Sequence, residues 1–196
     1  MGRPALRMQP TARSMRAPTR PTGRICSMAL SRRRALRWVT GAAAIAWMMV
    51  IFSASAQTGS DSGGMSRTVA DGLLSAWSAL TGSTFEGAAR DAAIEALQLP
   101  IRKGAHMAEY ALLAVLAFAH LLTYRRWARM EVAALGKPAA LAWAFATLYA
   151  ATDEFHQLFV PARAGMVTDV LVDSAGALVG VLLAWLVLRV LRRRSR

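Results

Sequence analysis

The reading of the fold turns on one stretch, Met166-Val-Thr-Asp169-Val-Leu-Val-Asp173-Ser-Ala-Gly176-Ala-Leu-Val-Gly180-Val-Leu-Leu-Ala-Trp-Leu-Val-Leu-Arg189-Val190. A helix needs roughly 20 mostly apolar residues to cross a hydrocarbon core, and this run exceeds that length with charge only near its two ends. Asp169, Asp173, Gly176 and Gly180 fall at helical spacings that put them on one face. That face is acidic in its first turns and smooth deeper in, where a small-xxx-small pair lets another helix approach closely.

Three more runs of this kind lie upstream, giving helices expected over 38–56, 104–124, 138–160 and 166–190. The first is free of charge, the second carries Glu109, and the third carries Asp153 and Glu154 near its end. The whole chain of 196 residues agrees: 55% is hydrophobic, only 18% is charged, and the mean hydropathy is +0.33. A formal charge of +13 would suit a nucleic-acid binder if the arginines covered folded polar faces. Here they crowd the tails and one short connection between apolar runs, which excludes that class and points to a lipid bilayer as the partner. A single cysteine, Cys26, excludes an internal disulfide framework and a multi-cysteine zinc site. The expected fold class is therefore all-α, a polytopic four-helix membrane bundle, with no metal or cofactor implied.

Residues 1–30 hold six Arg, four Pro, four Met and no acid, without apolar period, and are expected to be a disordered basic tail. Met28 offers an alternative start with a short Arg32-Arg33-Arg34 flank. Ala54-Ser55-Ala56 resembles a signal-peptidase site, so a cleaved leader is the alternative to a retained first helix; the run is longer than a leader's core of roughly 7–15 residues, which favours retention. Residues 57–103 form the one long connection. Within it Val69, Leu73, Leu74, Trp77 and Leu80 follow a helical period, suited to the membrane interface or to capping the bundle. A second helical stretch, Ala88 to Leu97, is expected to end before Pro100.

Basic residues stay on the cytoplasmic side of bacterial membranes. Segments 1–37, 125–137 and 189–196 carry 19 of the 24 Lys and Arg, and four crossings put all three on one side. Both termini are then cytoplasmic, and the loops 57–103 and 161–165 face outward. This orientation gathers the intramembrane polar residues in the outer half: Arg102, Lys103, His106, Glu109 and Tyr110 along one stripe of the second run, Asp153, Glu154 and Gln157 at the end of the third, Arg163 in the turn, and Asp169 and Asp173 on the fourth. Five separate buried carboxylates would each cost roughly 2.5–3.5 kcal/mol, so one shared polar pocket is the economical reading, with a structural ion-pair network as its plainer form. His120 and His156 fall outside it, and the tryptophans Trp47, Trp143 and Trp185 read as packing or lipid-facing residues.

Arg102-Lys103-x-x-His106-x-x-Glu109-Tyr110, then Asp153-Glu154-x-His156-Gln157-x-Phe159-x-Pro161-x-Arg163, then Asp169-x-x-x-Asp173-x-x-Gly176-x-x-x-Gly180 resemble, in that order, the VanZ-like family of small bacterial membrane proteins. The resemblance covers about Trp38 to Leu191. It departs at Ala162, where the family often has Gly, and Gly165 is expected to supply the turn instead. The family's namesake is associated with teicoplanin resistance, so the resemblance implies a cell-envelope role near lipid-linked wall precursors or glycopeptides.

On this reading the pocket binds or modulates such a ligand, with Arg102, Lys103 and Arg163 meeting phosphate. The alternatives are an intramembrane enzyme acting on a phospholipid or polyprenyl substrate, and a small transporter. Gly165-x-x-x-Asp169-x-x-x-Asp173 matches the tail of the CDP-alcohol phosphotransferase signature, but Phe155, His156 and Gln157 stand where that signature's upstream half belongs. No nucleophile elbow, HExxH or phosphate loop is present, which favours binding over catalysis. A one-sided acid cluster with no polar path beyond it argues against conduction.

Overall fold

The computed structural model describes residues 23–128 and 130–194. Among these every element is helical: α1 Gly23–Ser55, α2 Gly59–Thr81, α3 Gly87–Leu122, the single turn α4 Arg125–Ala128, a 3-10 turn Val132–Leu135, α5 Gly136–Gln157 and α6 Val167–Arg194. Stretches Ser31–Ser55, Gly87–Leu122 and Val167–Arg194 are each long and apolar enough to cross a membrane, so the chain reads as a multi-pass membrane protein. Broad exposed apolar faces agree, with Leu171, Leu178, Leu182, Leu186 and Val190 all outward on α6. Of the four expected crossings these stretches are three; α5, 22 residues long and rich in alanine, is not among them, and Lys137, Asp153 and Glu154 lie within it. The tail expected over 1–30 falls mostly outside the described residues, and residues 23–30 open α1.

The core joins Ile51 of α1, Tyr110, Leu113, Ala114 and Phe118 of α3, Ala142, Ala146 and Ala150 of α5, and Ala177 and Val181 of α6. The four-residue alanine spacing on α5 makes a flat stripe that continues into Asp153, Glu154 and Gln157 at its end. Where α6 meets α3, Gly176 lies against the backbone of Met107 and Gly180 against that of Ala111. A β-carbon at either position would enter a main-chain carbonyl, so the predicted glycine face is a packing face. Side chains also bond to backbone across helices: Trp47 Nε1 donates to the Glu109 carbonyl at 2.9 Å and the Tyr149 hydroxyl to the Met48 carbonyl at 2.7 Å. Trp143 Nε1 donates to Ser174 at 3.1 Å. Trp47 and Trp143 are thus interhelical pins.

The long connection is a helical hairpin. Thr58 opens α2 by accepting the Asp61 amide, and Gly82 closes it in the left-handed region at φ 72°. Ala70 and Leu74 of α2 pack on Ile94, Leu97 and Ile101 of α3, flanked by the ion pairs Arg67–Asp91 and Arg90–Asp71, both 2.7 Å. The expected break before Pro100 does not occur: α3 runs through it for 36 residues, about 54 Å of helix. Pro100 removes only the bond to Ala96, both residues are exposed, and packing against α2 and then α6 holds the segments on either side in line.

Candidate functional site

The last turns of α5, the first turns of α6, the middle of α3 and the α1–α2 junction meet at the end of the bundle away from the arginine-rich segments. The turn after α5 is built by contacts that residue type alone does not announce. Ala162 takes φ 57°, the left-handed conformation that costs a non-glycine residue about 1–2 kcal/mol. Gly165, expected to supply that turn, instead lies against the Glu154 carbonyl and is needed for closeness. Gly59 lies as closely against Ala162, and its amide donates to the Pro161 carbonyl at 3.2 Å. Arg163 is tied down by the ends of α1, donating from Nε to the Gln57 carbonyl at 3.1 Å and from Nη2 to the Ala54 carbonyl at 3.4 Å.

On this frame the predicted residues sort into different jobs. Asp153, Glu154, Gln157 and Asp173 are all buried, Asp173 to 1% exposure. Glu154 accepts the Met166 amide at 2.8 Å, placing a carboxylate at the start of α6 where the free amides and helix dipole favour it. It lines neither cavity described below, so its role is to hold the turn. Gln157 donates to Asp153 Oδ2 at 3.3 Å. Lys103 pairs with Asp169 at 2.5 Å, so Asp169 ties α6 to α3. Asp173 faces His106 at 3.9 Å, too far for a hydrogen bond, and neither of its oxygens has a hydrogen-bond partner. The same holds for His106 Nδ1. Tyr110 is fully buried in the core with Asp153 and Asp173 beside its hydroxyl.

Two adjoining cavities open here. One, about 160 Å³, lies between α1, α2 and α3 and is bordered by Ser55, Gln57, Ser62, Ser66, Glu109 and Asp153. The other, about 320 Å³, lies between α3 and the start of α6 and is bordered by Lys103, Gln157, Asp169 and Asp173. Arg102, His106 and Arg163 line both and form the partition between them. Arg102 has no ion pair or hydrogen bond among the described residues, and its Nε is enclosed. Arg163 sits close enough that burial first, and then Arg102, pull its pKa below the ordinary value, against the pull of Asp153, Glu154 and Glu109. The two guanidinium groups thus share the cavity linings with Glu109, Asp153, Asp169 and Asp173. Among the described residues no three His, Cys, Asp or Glu side chains are grouped to hold a metal ion.

The structure brings together ten of the eleven predicted residues around these cavities or directly beneath them, and sets Glu154 apart as a clamp. His156 stacks on Phe52 at 4.6 Å and His120 bonds Thr40 at the other end of the bundle, both outside the cluster as expected. Sequence reasoning missed Ser55, Gln57, Ser62 and Ser66. Their only signal was polarity next to the first apolar run.

No curated protein and no solved structure matches the chain. The family model described as VanZ/LLP1 matches residues 40–189, which takes in all the helices that build the site and leaves out the basic start of α1. With three ordered motifs meeting in one polar site inside that span, the chain belongs to the VanZ/LLP1 family.

Proposed function

We propose that the protein is a four-crossing inner-membrane protein of a bacterial envelope, with both termini cytoplasmic, whose polar site binds the anionic headgroup of a lipid-linked wall precursor or a glycopeptide from the outer side. The observation that carries this reading is the Arg102–Arg163 pair dividing the two cavities, with Arg102 lacking any counter-charge of its own. Phosphate suits it: guanidinium forks bond phosphate oxygens bidentately, and binding would relieve the repulsion between the two cations. The fourth crossing is assigned to α5, whose alanine stripe packs against α3 and α6. Backbone carbonyls of Gln57 and Ala54 hold Arg163 in place, and no step of covalent chemistry is required.

The test is retention of polyprenyl monophosphate by the purified protein in nanodiscs, with uncharged polyprenol and teicoplanin as separate arms. Retention of the phosphate, none of polyprenol, and at least a tenfold loss in Arg102→Gln are expected. If Arg102→Gln retains every ligand as the parent does, or if neither the phosphate nor teicoplanin is retained, the reading fails.

A further inference from the structure

At the opposite end of the bundle a larger groove, about 810 Å³, lies between α1, α3 and α5. It is lined by small residues, among them Gly41, Ala42 and Ala117, and by the larger apolar side chains of Ile45, Leu141 and Phe145. It runs along α1 from Arg37 to Met48, about 16 Å at the helical rise, which is close to half of a hydrocarbon core of about 30 Å, the depth of one leaflet.

Polarity is layered along that length. Arg37 stands at the mouth with its guanidinium 4.0 Å over the Tyr124 ring, its Nε enclosed and without a hydrogen-bond partner, and no acid paired to it among the described residues. Arg33, one helical turn earlier on the same face, and Arg34, Arg125 and Arg126 add to the positive charge at this end. Next comes a thin polar layer, in which His120 meets Thr40 at 3.1 Å and the Tyr124 hydroxyl at 3.3 Å. Beyond it the groove is apolar to its end at Met48. Cation, hydrogen-bonding layer and apolar channel follow the order of phosphate, glycerol ester and acyl chain in a phospholipid.

We propose that this groove is a binding site for one anionic phospholipid of the leaflet on the arginine-rich side, its phosphate on Arg37 and Arg33 and an acyl chain against Ile45, Leu141 and Phe145. Basic pockets between membrane helices take anionic headgroups in this way, while the apolar channel fixes where the lipid lies. The site is independent of the cavities at the other end.

Native mass spectrometry of the detergent-purified chain, with phosphatidylglycerol and phosphatidylcholine added in equal amounts, reads it out. The expected result is at least fivefold more phosphatidylglycerol adduct than phosphatidylcholine adduct. Arg37→Gln should bring that ratio close to one, Arg32→Gln, on the far side of α1 from Arg37, should change it less than twofold, and Ala42→Phe, which fills the channel, should reduce both adducts. Equal adducts in the parent, or the same loss from Arg32→Gln as from Arg37→Gln, would show diffuse attraction and overturn the proposal. So would a lipid-free dimer whose contact Ala42→Phe disrupts, since a second copy would then cover the groove. Should Arg37→Gln melt below the parent, Arg37→Lys and Ala42→Phe carry the test, because Lys keeps the charge without the fork and should lower the ratio partway.

Discussion

Ala162 is where backbone strain is concentrated. Its left-handed φ lets Pro161 reach Gly59 and lets Arg163 turn back onto Gln57 and Ala54, so the conformation is held by the contacts that build the site. Glycine adopts this conformation freely, at some cost in unfolded-state entropy, so Ala162→Gly should stabilise the protein by about 0.5–1 kcal/mol. A rise in thermal midpoint in detergent is the expected readout, and a fall would mean that the Ala162 methyl packs. Glu154 allows a paired comparison. Gln keeps an oxygen for the Met166 amide, whereas Leu leaves that amide without its partner, so Glu154→Leu should cost about 1–3 kcal/mol and Glu154→Gln clearly less. Equal losses would make the charge, and not the bond, the stabilising element. Neither role was legible from residue type. Glu154 and Asp153 look alike in sequence, and only the closure of the turn separates the clamp from the cavity wall.

At the scale of elements, the α3–α6 contact is the most extensive among the described residues. Gly176→Ala and Gly180→Ala would each drive a methyl into a carbonyl that cannot move without the helix, so each should destabilise by about 1–3 kcal/mol. Gly104, on α3 but with open space around it, should do the opposite, since Ala improves a helix interior by about 0.5–1 kcal/mol. Thermal melting of the three variants separates packing from propensity, and a uniform direction of change would contradict the account. The glycine face and the acidic stripes were legible because both rest on spacing within one helix. The passage of α3 through Pro100 was not, because the packing that offsets it comes from α2, more than twenty residues earlier. For the same reason Pro100→Ala should leave the fold unchanged and raise the melting point, having restored one helical hydrogen bond.

Across the whole molecule, charge divides by end. Of eleven acids only Glu131 lies at the arginine-rich end, while the other ten lie on the α2–α3 hairpin or around the polar site. That division was already legible in the chain, since the positive-inside preference needs only the order of runs and loops. The cavities were not, because Arg163 is positioned by backbone carbonyls of residues more than a hundred positions away, which no side-chain pattern encodes. The central claim is that the Arg102–Arg163 site faces outward while the arginine-rich end faces the cytoplasm. It is tested most directly by thiol labelling in a Cys26→Ser background, with Ala164→Cys at the larger cavity and Ala134→Cys at the opposite end, both exposed positions. A membrane-impermeant maleimide should label Ala164→Cys on spheroplasts and Ala134→Cys only after permeabilisation. The reverse pattern, or both positions labelled on the same side, would contradict the account.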